Sequence, residues 1–331
     1  MSTVADLLKR PEVKETVLKT VQLDGQVVLK IMQHCDGALP AIVTGQLLGL
    51  DVGQTMEVTD CFPFPSPEDE GDSSTNYQLD MMRCLREVNV DNNTVGWYQS
   101  SVLGQYQTQE MIETFISYHD SIRKCVCIVY DPQRQQRGQV GLRAIRLKDS
   151  FIELFKEHKL TGKELREAGV GWRDVFIEVP VKIHNSSLAQ ALIADLNPAP
   201  GATAGDLDRL SLANAGYLSK TMGNLIECMD DMLAEQGKVS MYHRNVARQQ
   251  QQLATWLQKR KQENIARRAA GEEPLPEEDP ALFKPIPEPS ALDQYLVTNQ
   301  IASYCDMLGG AAEKGMAKMY LVQALQKATQ Q

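Results

Sequence analysis

Residues Asn93–Ile116 read NTVGWYQSSVLGQYQTQEMIETFI, and their spacing predicts a strand, a loop and a helix in succession. Val95, Trp97 and Tyr98 have strand-forming side chains just past the turn-like Asp91-Asn92-Asn93. From Thr108 to Ile122, the positions Ile112, Phe115, Ile116 and His119 recur in helical register. Strands and helices in alternation give an α/β domain.

The flanking sequence extends that pattern in both directions. Upstream, Val17–Leu23 alternates as a strand, and Asp24-Gly25 turns the chain into a helix carrying Val27, Val28, Ile31, Met32 and Cys35, with Asp24 as its N-cap. Ala41–Leu50 and Met56–Phe64 are two apolar runs joined through Asp51-Val52-Gly53, a hairpin. Pro63–Thr75 is acidic and proline-containing and reads as an exposed loop, before a helix over Tyr77–Val90 whose Met81-Met82 pair is expected in the core. Downstream, Lys124–Tyr130 is a dense apolar run, a buried strand that puts Cys125 and Cys127 on one face and pairs with Val140–Leu147. Gly169 and Gly171 end any helix begun near Phe151. Val175–Ile183 alternates strictly, but Pro180 lacks an N–H and restricts it to an edge or a bulge. Asn185-Ser186-Ser187 then offers an N-cap to a helix carrying Leu188, Ala191, Leu192 and Leu196.

Pro198–Gly205 interrupts every periodic pattern and separates a helical second part. The organisation expected is a lead (1–15), an α/β domain (16–197), a linker (198–206), a helical hairpin (207–270), an acidic proline-rich linker (271–290) and a C-terminal helix (291–331). Leu218, Met222, Leu225, Met229 and Met232 step by four and three residues, the seam one helix offers another. Val239, Tyr242, Val246, Leu253 and Trp256 continue it beyond a break expected at Gly237. Folding of these two seams onto each other and packing against a partner are both open readings. Val297, Ile301, Tyr304, Leu308 and Ala311 repeat the spacing across Gly309-Gly310, and the apolar run Met316–Leu325 calls for a partner, so an intermolecular helical bundle is the favoured reading.

Composition excludes more than it assigns. The 331 residues carry 34 Lys and Arg against 43 Asp and Glu, a net charge of −9, which argues against a surface devoted as a whole to nucleic acid. The run Lys259-Arg260-Lys261 with Arg267-Arg268 has two readings, contact with RNA phosphate and the solvated face of a long helix, of which the second is favoured. Seven cysteines lack any Cys-x-x-Cys pair and read as thiols of a reducing, cytoplasmic setting. No segment approaches a membrane span, and no phosphate-binding loop, dinucleotide fingerprint, His-Glu-x-x-His or nucleophile elbow is present. His34, His119, His158, His184 and His243 are not at ligand spacing, and no cofactor is indicated.

Gly96-Trp97-Tyr98-Gln99-Ser100-Ser101-Val102 resembles the G-W-Y-H-S-H-P strand of the MPN (JAMM) family, whose active members are zinc-dependent deubiquitinases. The family's histidine positions hold Gln99 and Ser101 here, and its proline position holds Val102. The spacing of the S-x-x-D element places Glu110 at the serine and Glu113 at the aspartate. Thr44–Gly49 resembles the G-L-L-x-G strand, which puts the catalytic glutamate position on Ile42. Isoleucine transfers no proton, and an amide, a hydroxyl and one carboxylate are a poor substitute for the imidazole, thiolate and carboxylate donors zinc takes. The resemblance therefore implies an MPN domain with a mixed sheet, flanking helices and a degenerate metal site, followed by a helical-bundle segment.

Within the family, Val21–Cys35, the GWYQSS strand, Val179–Ser186 and Leu296–Cys305 are similar to the h-type branch of translation initiation factor three. That resemblance implies a non-catalytic scaffold that pairs its MPN domain with another MPN subunit similar to the f subunit. Its C-terminal helices would join the bundle of PCI and MPN subunits and act through it on mRNA recruitment to the small ribosomal subunit, scanning and reinitiation. The competing readings are a non-catalytic MPN subunit of the proteasome lid or COP9 signalosome, and an isopeptidase that uses Glu113 with a borrowed ligand.

Overall fold

The computed structural model describes residues 17–65, 74–88, 93–135, 141–196, 215–269, 284 and 286–329. The polar lead, the middle of the Pro63–Thr75 loop, the 198–206 linker and most of 271–290 lie outside them.

Eight strands form one mixed sheet: β1 (Thr20–Asp24), β2 (Thr44–Val52), β3 (Thr55–Pro63), β4 (Thr94–Ser100), β5 (Val126–Tyr130), β6 (Leu142–Leu147), β7 (Phe176–Val179) and β8 (Val181–His184). Their order is β7-β6-β5-β4-β2-β3-β1-β8, with β4 and β5 parallel at the centre. The alternating run Val175–Ile183 is split at Pro180 into β7 and β8, which form the two opposite edges of the sheet. One extended segment can reach both edges only if the sheet is rolled, and Val21 N–H closes the seam by donating to the Pro180 carbonyl (2.9 Å). The proline thus sits where a ladder needs no donor from it.

Helices cover both faces. On one face, α1 (Gly25–Gly37) packs Val27, Ile31 and Cys35 against Tyr98, Val126, Ile128 and Tyr130. On the other, α3 (Gln109–Ser121), α5 (Asp149–Lys156) and α6 (Gly162–Glu167) cover Trp97, Cys127, Val129 and Ile145. The short α2 (Ser74–Glu87) and α4 (Pro132–Gln135) lie between strands, and α7 (Ser187–Leu196) follows β8. Cys125 and Cys127 are both buried, as the strand pattern predicts, whereas Met81 and Met82 are only half-buried: α2 presents them at the surface, not in the core. Asp24 occupies the N-cap of α1, but its side chain makes no capping bond.

Two long helices complete the chain, α8 (Ala215–Ala269) of 55 residues and α9 (Leu292–Thr329) of 38. The hairpin expected across Gly237 is instead one continuous helix, and Gly309-Gly310 likewise fails to interrupt α9. A helical glycine costs about 1 kcal/mol relative to alanine, too little to break a helix flanked by many turns of good formers. The two helices pack together, and where they meet the Thr298 hydroxyl of α9 lies 3.8 Å from the Met232 sulfur of α8; Leu218 and Leu225 of α8 and Val297 of α9 are half-buried.

Candidate functional site: the loop after β4 and the helices above it

Glycines fix the approach of the strands that carry the site. A Cβ at Gly96 would overlap the Val126 carbonyl of β5, and one at Gly45 would overlap the Tyr98 ring. At the end of β4, Ser100 N–H donates to Val43 O (2.9 Å), and the Ser100 hydroxyl accepts from Val43 N–H (2.8 Å). Ser101 is buried; its N–H donates to Tyr130 O (2.8 Å), and its hydroxyl faces the same carbonyl at 3.4 Å. Both hydroxyls are thus committed to tying the tip of β4 to its neighbours.

The four positions at which the resemblance places a metal centre differ in exposure and in chemistry. Gln99 is half-buried on β4, Ser101 is sealed beneath the loop, and Ile42 is exposed before β2. Glu113 is exposed on α3, where its carboxylate accepts from Gln109 Nε2 (2.8 Å). Thr108 caps α3 by accepting from Met111 N–H (3.3 Å), which leaves Glu110 and Glu113 on the solvent side of the first two turns. Among the described residues no three His, Cys, Asp or Glu side chains are grouped to hold a metal. The zinc of active MPN proteins therefore does not fit this donor set. Burial pushes the Cys35, Cys61 and Cys125 thiols up to about 12, which favours their protonated form in the core. Burial pushes His34 below its usual range, where its ring faces the Tyr98 hydroxyl at 2.9 Å.

The loop Ser101–Gln107 is covered by the protein's own C-terminal helix. Leu103 and Gly104 both have positive φ (54° and 73°), the left-handed pair that lets the chain turn from β4 toward α3. Gln300 of α9 donates through Nε2 to the Gly104 carbonyl (3.2 Å), and Met307 lies over the Gly104 Cα. Tyr304 is fully buried, with its hydroxyl facing the side chains of Gln105, Gln300 and Asn224. Ala291, Leu292 and Leu296 join the core cluster of Trp97 and Phe115, and Ala291 N–H donates to Leu160 O (2.9 Å). The first half of α9 is thus part of the α/β domain, which the sequence division at 197 did not anticipate.

The seam residues divide between two faces. Leu218, Leu225, Trp256, Val297, Ile301 and Leu308 are half-buried and Tyr304 is buried, whereas Met222, Met229 and Leu253 are exposed. Sequence spacing missed Leu296 and Met307, one position from the seam it followed, and also Ile226 and Leu233. Met222, Ile226, Met229 and Leu233 form an outward stripe on α8, each 52–64 % exposed. Two further apolar surfaces are open: Leu188, Leu192, Ile193 and Leu196 on α7, and Met316, Met319, Tyr320, Leu321 and Leu325 on α9. No described helix is long and apolar enough to cross a membrane.

Residues 16–126 match the family model described as JAB1/Mov34/MPN/PAD-1 ubiquitin protease, and residues 135–331 match the one described as the C-terminal region of eIF3h. The H subunit of eukaryotic translation initiation factor 3 from Arabidopsis thaliana is 50 % identical over 323 residues, which cover 96 % of each chain. The Nematostella vectensis protein of the same name is 41 % identical, covering 92 % of this chain and 94 % of its own. That of Xenopus laevis is 39 % identical over 96 % of each. The α/β domain and the two long C-terminal helices lie within one continuous similarity. The chain belongs to the H-subunit family of eukaryotic translation initiation factor 3, translation factor subunits with an MPN domain.

Proposed function

We propose that the chain is a non-catalytic, cytoplasmic scaffold subunit of the initiation factor three complex. It pairs its MPN domain with another MPN subunit similar to the f subunit, and enters the PCI and MPN helical bundle through α8 and α9. In that role it supports mRNA recruitment to the small ribosomal subunit, scanning and reinitiation, with no chemistry of its own. One observation carries the reading. Helix α8 has two apolar faces, and only one of them is used: Leu218, Leu225 and Met232 pack inward while Met222, Ile226, Met229 and Leu233 face out. An apolar stripe of four long side chains at four- and three-residue spacing, left exposed on a long helix, fits a partner helix laid along it. Loss of the ligand set at Gln99, Ser101, Glu113 and Ile42 supports the same reading.

The test is affinity purification of the tagged full chain from its own cells, beside Ile226→Asp combined with Met229→Asp. We expect initiation-factor subunits and no stoichiometric zinc with the parent chain, and loss of the PCI subunits from the variant without a change in its own melting temperature. Retention of every subunit by the variant would rule out the stripe as a bundle contact, and stoichiometric zinc would rule out the dead centre.

A further inference from the structure

Helix α8 changes character along its length. From Ala215 to Gly237 it carries Lys220 against Glu227, Asp230, Asp231 and Glu235. From Lys238 to Ala269 it carries Lys238, Arg244, Arg248, Lys259, Arg260, Lys261, Arg267 and Arg268 against Glu263 alone. In a chain of net charge −9, positive charge is concentrated in this one half-helix.

The packing of the helix determines which of these cations faces solvent. Tyr242, Val246, Gln249, Leu257, Asn264 and Arg267 are half-buried or buried on one side, and Gln249 Nε2 donates to Lys284 O (2.6 Å). Arg260 belongs to this side as well, over the Trp256 ring at 5.1 Å and paired with Glu263 at 3.4 Å, so the only carboxylate is already neutralised. On the opposite side Arg244, Arg248, Gln251, Thr255, Lys259 and Gln262 recur at steps of four and three, and all six are exposed. Among the described residues, Arg244, Arg248 and Lys259 are in no ion pair. The face offers guanidinium, ammonium, amide and hydroxyl donors, with neither a carboxylate nor an apolar side chain among its six positions.

We propose that this outward face of α8, from Arg244 to Gln262, binds the phosphate backbone of RNA. The chemistry separates this ligand from a protein partner. A protein interface draws its energy from buried apolar and aromatic anchors, and this face has none, whereas phosphate contacts need only fixed cations and polar donors. Arg244 and Lys259 are about 22 Å apart along the axis at 1.5 Å per residue, far enough to follow several successive phosphates. An α-helix cannot enter the deep, narrow major groove of duplex RNA, so the contact is to phosphates and 2′-hydroxyls and is independent of sequence. The apolar stripe lies on the other half of the same helix, so assembly and RNA contact use different residues.

The experiment measures fluorescence anisotropy of the full chain with a labelled oligouridylate and with an RNA duplex of equal length, across a potassium chloride series. Three proteins are compared: the parent chain, the triple variant Arg244→Gln, Arg248→Gln and Lys259→Gln, and a charge-matched control that changes the exposed Lys163, Lys182 and Lys314 to Gln. Glutamine keeps helix propensity, and equal circular dichroism checks the fold. We expect salt-sensitive binding by the parent and the control. For the triple variant we expect binding about tenfold or more weaker at low salt and a salt slope shallower by about 2 for the single strand, at roughly 0.7 per lost contact. The two RNAs distinguish a single-stranded ligand from a duplex one. Absence of binding by the parent, equal loss in the control, or displacement of RNA by polyglutamate at matched charge would each overturn the proposal, the last by making an acidic protein the occupant.

Discussion

The two halves of α9 carry the same apolar rhythm and put it to different uses. Leu292, Leu296, Tyr304 and Met307 are buried against the α/β domain, while Met316, Met319, Tyr320, Leu321 and Leu325 in the second half are exposed. What separates them is the surface each meets. The first half finds the left-handed Leu103-Gly104 turn, whose Gly104 carbonyl accepts from Gln300 and against which Met307 packs. The second half runs beyond the domain. Burial of a large apolar side chain contributes about 2 kcal/mol, so the first half stabilises the fold and the second half has that energy available for association.

The strongest way to break this comparison is to remove the central aromatic. Tyr304→Ala should destabilise the MPN domain by about 3–5 kcal/mol in urea titration, whereas Leu321→Ala should change stability by less than about 0.5 kcal/mol. Equal effects would mean that α9 is not divided as described. Glycines sharpen the contrast, since two of them should respond with opposite signs. Gly104→Ala forces a side chain into positive φ beside Met307 and should cost about 1–2 kcal/mol, while Gly309→Ala, with nothing within 4 Å of its Cβ position, should stabilise by about 0.5–1 kcal/mol. Thermal melting of the two variants measures both. The smallest effect is a pH dependence. Burial holds His34 below its ordinary value of 6.5, so the unfolded chain binds a proton more readily than the folded one. Stability is fully present above pH 6.5 and declines as pH falls through the lowered folded-state value. His34→Gln should flatten that decline, and the first half of α9 should lose protection together with the domain while the second half does not follow it, as measured by hydrogen exchange at matched intrinsic rates.

Much of this was legible in residue types. The expectation of a degenerate metal site rests on Ile42, Gln99 and Ser101 alone and needs no coordinates, because isoleucine has no group that transfers a proton and an amide and a hydroxyl are poor zinc donors. Pro180 marked an edge strand, but only long-range pairing reveals that its two sides form opposite edges of one rolled sheet. The helical seams were found within one residue of their true faces: Val297, Ile301 and Leu308 lie beside the fully used line of Leu296, Gln300, Tyr304 and Met307. Periodicity identifies an apolar face without specifying its direction to better than a residue, and it cannot name the occupant. Gly237 misled because a helix penalty of about 1 kcal/mol is local, while continuity of α8 is decided over many turns. The covering of Gly104 by Gln300 and Met307 joins residues about two hundred positions apart and left no local signal.

That long-range closure also has a meaning in time. Both sheet edges are complete once Val179 and His184 have been made, yet the core around Trp97 stays open on one side until Leu292–Met307 arrives. Between Val179 and Met307 lie roughly 130 residues, about 6–25 s of synthesis at ~5–20 residues per second. For that interval the nascent chain presents an unfinished apolar surface, which a chaperone or a partner subunit can meet before the chain's own helix does. The order of translation thus leaves a window in which docking can precede self-closure.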